Sequence, residues 1–91
     1  MLFDWDDAKC EDNIGRRGVD FAIAARIFAG PVLSREDRRR EYGEQRFRAV
    51  GRFEGQAYVV VYTLRGEVRH IITAWKVGEA GEKRYRTLLA R

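Results

Sequence analysis

Hydrophobic and polar residues alternate between positions 45 and 75 with the period of two that is typical of β-strands. In the first run the apolar or small side chains and the arginines fall on opposite sides: Phe47, Ala49 and Gly51 against Arg46, Arg48 and Arg52. Two further runs keep the alternation, and Gly55 and Gly66 stand in the turns between them. The pattern predicts an antiparallel meander with strands at 45–52, 57–64 and 68–75.

The polar positions of this meander combine positive charge with aromatic rings. Tyr58 and Tyr62 alternate with valines in the second strand, and His70, the only histidine, lies in the third. We expect the arginines, these tyrosines and His70 to share one face of the sheet. A basic face with aromatic side chains suits RNA, which offers phosphates and stacking bases.

The residues before the meander predict a short strand and two helices. Leu2–Trp5 has strand character, and either Asp6 or Asp7 offers a cap for a helix that begins near Ala8 and ends at Gly18. A second cap, Asp20, precedes a set of apolar residues at helical spacing: Phe21, Ala24, Ala25 and Phe28. Gly30 and Pro31 end this second helix.

The rest of the chain completes an α+β fold. Residues 35–44 are so rich in charge that they predict a solvated turn with a strand on either side. Residues 79–90 return to helix formers, with Tyr85, Leu88 and Leu89 on one side. The predicted order is strand, helix, helix, four strands, helix: an antiparallel meander with two N-terminal helices and one C-terminal helix.

Length and charge narrow the class of protein. Ninety-one residues predict a single domain, 1–91, and a net charge of +4 favours a polyanion or an acidic protein as partner. Cys10 is the only cysteine, which excludes an internal disulfide and fits a reducing cytoplasm. The N-terminus lacks the features of a signal peptide, and no apolar run approaches membrane-spanning length, so neither export nor membrane insertion is expected.

Several chemistries have no support in the sequence. One cysteine and one histidine do not make a zinc site, and the acidic residues near the N-terminus are explained by helix capping rather than by a metal. There is no phosphate-binding Walker loop, dinucleotide fingerprint or serine nucleophile motif. We therefore expect no metal and no cofactor.

The landmarks along the chain together resemble one known family. They are Phe3, Trp5, Asp6, Lys9, Asn13, Gly18, Val19, Phe21, Ala25, Phe28, Pro31, Glu44, Arg46, Gly51, the strand 59–63, Gly66 and the segment 70–76. In this order and spacing they resemble the BrnT toxins of bacterial type II toxin–antitoxin systems. The chain departs from the usual segment at three positions, with His70 and Trp75 in place of arginines and Thr73 in place of serine, which is typical of a divergent subgroup.

The resemblance implies a small RelE-like domain that acts as a metal-independent endoribonuclease and inhibits translation. It also implies a BrnA-like antitoxin partner, through which alone the complex contacts operator DNA. RelE-like toxins use several basic residues on a sheet face, and here Arg46 and Lys76 are the candidates to stabilise the phosphate. His70 is the candidate acid or base, because imidazole populates both protonation states near neutral pH, although a strand histidine bonded to its neighbouring strand is an equal alternative.

The remaining candidate roles follow from position and residue type. Glu44 shares a strand face with Arg46 at a spacing of two, so it either orients Arg46 or acts as the base. Candidate RNA contacts are the basic residues Lys9, Arg48 and Arg52 and the aromatic residues Tyr58, Tyr62, Trp75 and Tyr85. Two other functions stay open: a module that binds RNA without cutting it, and a protein-interaction module whose basicity serves solubility.

Overall fold

The structure, a computed structural model, describes residues 2–90 and follows the predicted order of elements. The elements are β1 (Leu2–Trp5), α1 (Asp7–Arg17), α2 (Phe21–Ala24) with a 3₁₀ segment (Ala25–Ala29), β2 (Val32–Asp37), β3 (Arg46–Phe53), β4 (Gln56–Arg65), β5 (Val68–Val77) and α3 (Glu79–Leu89). The three strands predicted from alternation lie within two residues of their observed bounds.

A five-stranded sheet forms the centre of the fold, with strand order β1-β5-β4-β3-β2. Strands β2 to β5 form the predicted antiparallel meander, and β1 joins it parallel to β5. Glu54 and Gly55, both with positive φ, make a two-residue turn that sets Phe53 opposite Gln56. That turn fixes which side chains of β3 and β4 share a face.

Local signals in the sequence set the limits of α1. The carboxylate of Asp6 accepts a hydrogen bond from the backbone N–H of Lys9 at 3.0 Å. Gly18 adopts a left-handed conformation (φ 70°) and donates its N–H to the carbonyl of Ile14, which ends the helix. Both α1 and α3 contain 11 residues. Within residues 2–90, no helix has the length and apolar character needed to cross a bilayer.

One face of the sheet packs against α1, α2 and the 3₁₀ segment. Phe21 and Ile27 are fully buried there against Val60 and Ile71 of the sheet. Gly51 allows this close approach, because a Cβ at this position would lie 3.1 Å from the Cβ of Ile27 and 2.9 Å from the side chain of Val32. The N-terminal helices and the sheet thus enclose the larger core.

The opposite face carries α3 and a smaller core. Leu89 of α3 is buried with Val50 and Val59, and Tyr85 packs beside them. Leu88, predicted to share this side, is 39% exposed. This face also contains the arginines of β3, because Arg46, Arg48 and Arg52 each lie an even number of residues from Val50 along the strand.

The prediction of a solvated turn over residues 35–44 is wrong for its first part. Strand β2 continues to Asp37, which pairs with Arg46 of β3. Asp37 is 4% exposed and is surrounded by donors from Arg39 and Tyr42. Because its carboxylate is fully hydrogen-bonded, Asp37 can be buried at a position that the charge pattern alone predicts to be exposed to solvent.

Candidate nucleic-acid interface

A row of polar side chains crosses the α3 face of the sheet at the end that the small core leaves open. Asp4 pairs with His70, His70 with Thr63, and Asp37 with Arg46. Extending the β3–β4 register by one residue sets Arg46 opposite Thr63, and the Thr63 hydroxyl donates to the carbonyl of Gln45 at 2.6 Å. The five strands therefore bring Arg46 and His70, the two central candidates, to one row that we call the polar row: Asp37, Arg46, Thr63, His70 and Asp4.

His70 is held by a carboxylate from the neighbouring strand. Its Nδ1 lies 2.8 Å from Oδ1 of Asp4, and its side chain is 14% exposed while that of Asp4 is 58% exposed. A proton on Nδ1 that is donated to Asp4 leaves Nε2 as the nitrogen with a free lone pair. Such an arrangement fixes both the ring orientation and the tautomer, as a general base requires.

Arg46 is positioned by two groups of the β2–β3 connection. Its guanidinium carbon lies 4.3 Å from the centre of the Tyr42 ring, and its Nε lies 3.5 Å from a carboxylate oxygen of Glu44. That Nε is buried and donates no hydrogen bond to the described residues. A planar cation held by ring stacking and a nearby carboxylate keeps donors available for a phosphate.

The second row of this face contains Arg48, opposite Arg35 on one side and Val61 on the other. Arg48 is 8% exposed and lies over the ring of Tyr85 at 5.9 Å.

The Arg39 guanidinium holds the pKa of the neighbouring Asp37 carboxyl well below its usual range. Asp37 is therefore an anion that offsets part of the positive charge gathered in this region.

Arg52, predicted as an RNA contact, is bound to α3 instead of being free. Its Nε donates to a carboxylate oxygen of Glu82 at 2.9 Å, and Arg86 donates to the same carboxylate at 2.8 Å. The hydrogen bond from Arg52 comes first among the causes that lower the pKa of Glu82 to about 2. Arg52 thus joins α3 to β3, although its side chain remains 53% exposed.

The expectation that all candidates share one face is wrong for Tyr58, Tyr62 and Lys76. Tyr58 and Tyr62 are 6% and 4% exposed and pack in the larger core under the N-terminal helices. Lys76 pairs with Tyr58 and so lies on that same opposite face. The two tyrosines pair with Gly51 and Phe47 of β3, so they share the face of those residues rather than that of the arginines. For Lys76 the reason is a bulge in β5: Val61 pairs with Thr73 but Tyr62 with Ile71, and the extra residue between them reverses the alternation after His70.

The other aromatic candidates, Trp75 and Tyr85, lie on the α3 face and are partly buried against the smaller core. The rings of Trp75 and Tyr85 are 6.2 Å apart in an edge arrangement, and the guanidinium of Arg17 lies 4.9 Å from the Trp75 ring. The indole ring is thus contacted by an aromatic and a cationic side chain of the protein itself. Lys9 is exposed in the first turn of α1, and Glu44 is exposed in the connection before β3.

Sequence reasoning missed two groups of this region, Asp4 and the Asp37–Arg39 pair. The parallel pairing of β1 with β5 brings Asp4 to His70 across 66 positions of sequence, and no local pattern indicates that contact. Arg39 lies two residues after Asp37 and binds both of its carboxylate oxygens. The Asp-x-Arg spacing at a strand end was the available signal.

The fold and the row define a small α+β protein with a basic, partly buried surface on a sheet face. The model of one protein family, described as "Ribonuclease toxin, BrnT, of type II toxin-antitoxin system", matches residues 5–80. The chain belongs to this BrnT family, as the resemblance in its sequence predicted. The family implies an RNA target and an antitoxin partner. No curated protein matches the chain.

Proposed function

We propose that the protein is an endoribonuclease toxin of the cytoplasm that cleaves RNA without a metal ion, inhibits translation and uses the polar row as its active site. The observation that carries the proposal is the presence of Arg46 and the Asp4–His70 pair in one row across the sheet. A cation and an oriented imidazole are the two kinds of group that metal-free phosphodiester cleavage needs. Membership of a family of ribonuclease toxins supports the same assignment.

The reaction starts at a ribose 2′-hydroxyl. His70 takes the hydroxyl proton on Nε2, and the 2′-oxygen forms a bond to phosphorus while the bond from phosphorus to the 5′-oxygen breaks. The leaving 5′-oxygen takes a proton from solvent, so the products are a 2′,3′-cyclic phosphate and a 5′-hydroxyl. Asp4 holds the ring in position and stabilises the imidazolium that forms.

Arg46 stabilises the negative charge that grows on the non-bridging oxygens of the phosphate. The side chain of Arg46 is 29% exposed, and in a partly desolvated site a fixed positive group stabilises such charge more than it does in bulk water. Glu44, 3.5 Å from Arg46, orients the guanidinium rather than taking a proton. The orienting role is supported because the carboxylate lies beside the guanidinium that it would hold in place.

The partner of this surface is a BrnA-like antitoxin, and the family resemblance favours a RelE-like assignment of the fold. An acidic segment of the antitoxin covers the polar row and excludes RNA, because the net charge of +4 favours acidic partners. Contact with operator DNA belongs to the antitoxin in this assembly. A complex in which the partner leaves the polar row open to RNA contradicts this mode of neutralisation.

Incubation of the purified protein with single-stranded RNA in excess chelator tests the proposal. We expect fragments that end in 2′,3′-cyclic phosphate, and we expect Arg46→Gln to make them far more slowly. Arg16→Gln is the matched control, because Arg16 is an exposed arginine of α1 paired only with Asp12. Cleavage that needs a divalent metal, or an Arg46→Gln variant as fast as the wild type, contradicts the proposal.

A module that binds RNA without cutting it is the second candidate. The observation that favours it is the position of Lys76 on the opposite face, which leaves the polar row with fewer cations than the sequence predicted. The same incubation separates the two functions. RNA retained intact, with affinity that falls steeply as salt rises, supports the binding module.

A further inference from the structure

A cavity of about 380 Å³ lies beside the polar row, between the end of α3 and strands β2 and β3. Four arginines and two leucines line it: Arg35, Arg38, Arg39, Arg48, Leu88 and Leu89. Glu36 is the only acid of the lining, and it is paired with Arg38 at 2.9 Å. The cavity therefore has a net positive lining next to an apolar edge, which suits an anionic ligand.

Arg48 is the central group because its donors have no partner. Among residues 2–90 no group accepts a hydrogen bond from the side chain of Arg48, its Nε is buried, and the side chain is only 10% exposed. A buried guanidinium with unused donors is costly unless a ligand completes its hydrogen bonds. Arg48 also lies 3.7 Å from Oδ2 of Asp37, which is beyond hydrogen-bond length.

Asp37 does not satisfy Arg48 because its carboxylate is already full. Its Oδ1 accepts from the backbone N–H and the Nε of Arg39, and its Oδ2 accepts from a terminal nitrogen of Arg39 and from the hydroxyl of Tyr42. These four hydrogen bonds use the roughly four lone-pair sites of a carboxylate. The donors of Arg48 thus remain for a group from outside the chain.

We propose that this cavity is a second phosphate subsite, in which Arg48 and Arg35 bind the backbone of the RNA beside the phosphate held by Arg46. The assignment rests on the proposed function and extends it to the substrate strand. Arg46 and Arg48 are two residues apart on one face of β3, so their side chains leave the strand about 7 Å apart. That spacing suits two phosphates of one extended single strand, and it favours RNA over an isolated anion.

A binding assay with an uncleavable ligand tests the subsite separately from catalysis. The probe is a fluorescent single-stranded oligonucleotide with 2′-O-methyl groups, which lacks the hydroxyl that attacks the phosphate, and its affinity is measured by anisotropy from low to high salt. Loss of one phosphate contact lowers the slope of log affinity against log salt by about one. We expect this loss in Arg48→Gln and in Arg35→Gln, and no change in Arg16→Gln.

Arg35→Gln keeps the test decisive if Arg48→Gln does not fold, because Arg35 is exposed and borders the same cavity. Wild-type slopes in the folded variants overturn the subsite, even if the protein cleaves RNA. Reduced slopes in a protein that cleaves no RNA support the subsite and overturn the nuclease. Alternatively, the folded variants keep the wild-type slope of RNA affinity against salt and bind an acidic peptide more weakly. That result assigns the cavity to a protein partner and overturns the subsite.

Discussion

The Asp4–His70 pair joins the first residues of the chain to its last strand. A lone strand histidine has two ordinary roles, as a bonded structural group or as an acid or base, and a hydrogen bond to a neighbouring strand is compatible with both. The structure adds which ring nitrogen makes that contact: Nδ1 faces Asp4, so Nε2 is the nitrogen available for chemistry. Kinetics separates the two roles.

We expect His70→Gln to slow cleavage and to change the shape of the pH–rate profile, because glutamine cannot take the proton of the 2′-hydroxyl. Asp4→Asn should also cleave RNA more slowly than the wild type. Its loss of rate should be smaller than that of His70→Gln, because the variant keeps the imidazole and loses only the anion that orients the ring. Cleavage of a short RNA between pH 5 and 9 measures both effects. An unchanged profile in His70→Gln assigns His70 to structure alone.

We expect Arg46→Gln to lower the cleavage rate about a hundredfold or more, because it removes a fixed charge from the developing phosphorane. The fold should persist, since the side chain is 29% exposed and its ion pair and its ring contact are with Glu44 and Tyr42 of the connection before β3. Single-turnover cleavage gives the rate, and circular dichroism checks the fold. Wild-type rates in the folded variant remove Arg46 from the mechanism.

At the scale of elements, α1 completes an edge of the sheet. Strand β1 ends opposite Ile71, and from there α1 runs beside β5 in place of a strand. Asn13 donates to the carbonyls of Val19 and Ala74 at 2.9 and 3.0 Å and accepts from the hydroxyl of Thr73 at 2.9 Å. One buried amide thus binds the helix to the free edge of the strand that carries His70.

We expect Asn13→Ala to lower the free energy of unfolding by about 2–3 kcal/mol, because it leaves buried carbonyls without donors. Urea denaturation measures the loss. Glu11→Ala is the control, since Glu11 is an exposed neighbour on the same helix, and it should stay within about 0.5 kcal/mol of the wild type. Equal stability of the two variants contradicts the role assigned to Asn13.

The elements were predictable because their signals are local. Alternation, the caps at Asp6 and Asp20 and the glycine at 18 determine where strands and helices begin and end. Faces were less predictable, because a bulge of one residue reverses the alternation of β5 and no residue type marks it. The register of β3 and β4 could have been predicted from the two-residue turn at Glu54–Gly55. That register places the tyrosines of β4 on the buried face.

Several residues that carried the family resemblance stabilise the fold rather than the site. Asn13 binds the edge of β5, Gly18 ends α1, and Gly51 admits the 3₁₀ segment. This explains why the family was evident from sequence while the site was only partly so. Long-range contacts such as Asp4 with His70 depend on the pairing of distant strands, which local patterns do not encode.

Across the whole molecule, the two buried carboxylates of the α3 face couple folding to pH. The hydrogen bonds from Arg52 and Arg86 lower the pKa of Glu82 from 4.5 to about 2, and Arg39 lowers the pKa of Asp37 as well. As pH falls below about 4.5, the unfolded chain binds protons at these carboxylates before the folded protein does. Acid therefore favours unfolding.

The stability that Glu82 contributes should be fully present above about pH 5 and lost as pH falls from about 4.5 to about 2. Glu82→Gln should lower the unfolding free energy at pH 7 by about 1 kcal/mol, below the usual range for charged hydrogen bonds because Arg52 and Arg86 remain partly in solvent. It should also lose less stability between pH 7 and pH 3 than the wild type, since residue 82 then no longer takes up a proton on unfolding. Urea denaturation at constant ionic strength measures both differences, with Glu11→Gln as the exposed control. A Glu82→Gln variant that loses as much stability in acid as the wild type shows that the contact between α3 and β3 is not the source of the acid sensitivity.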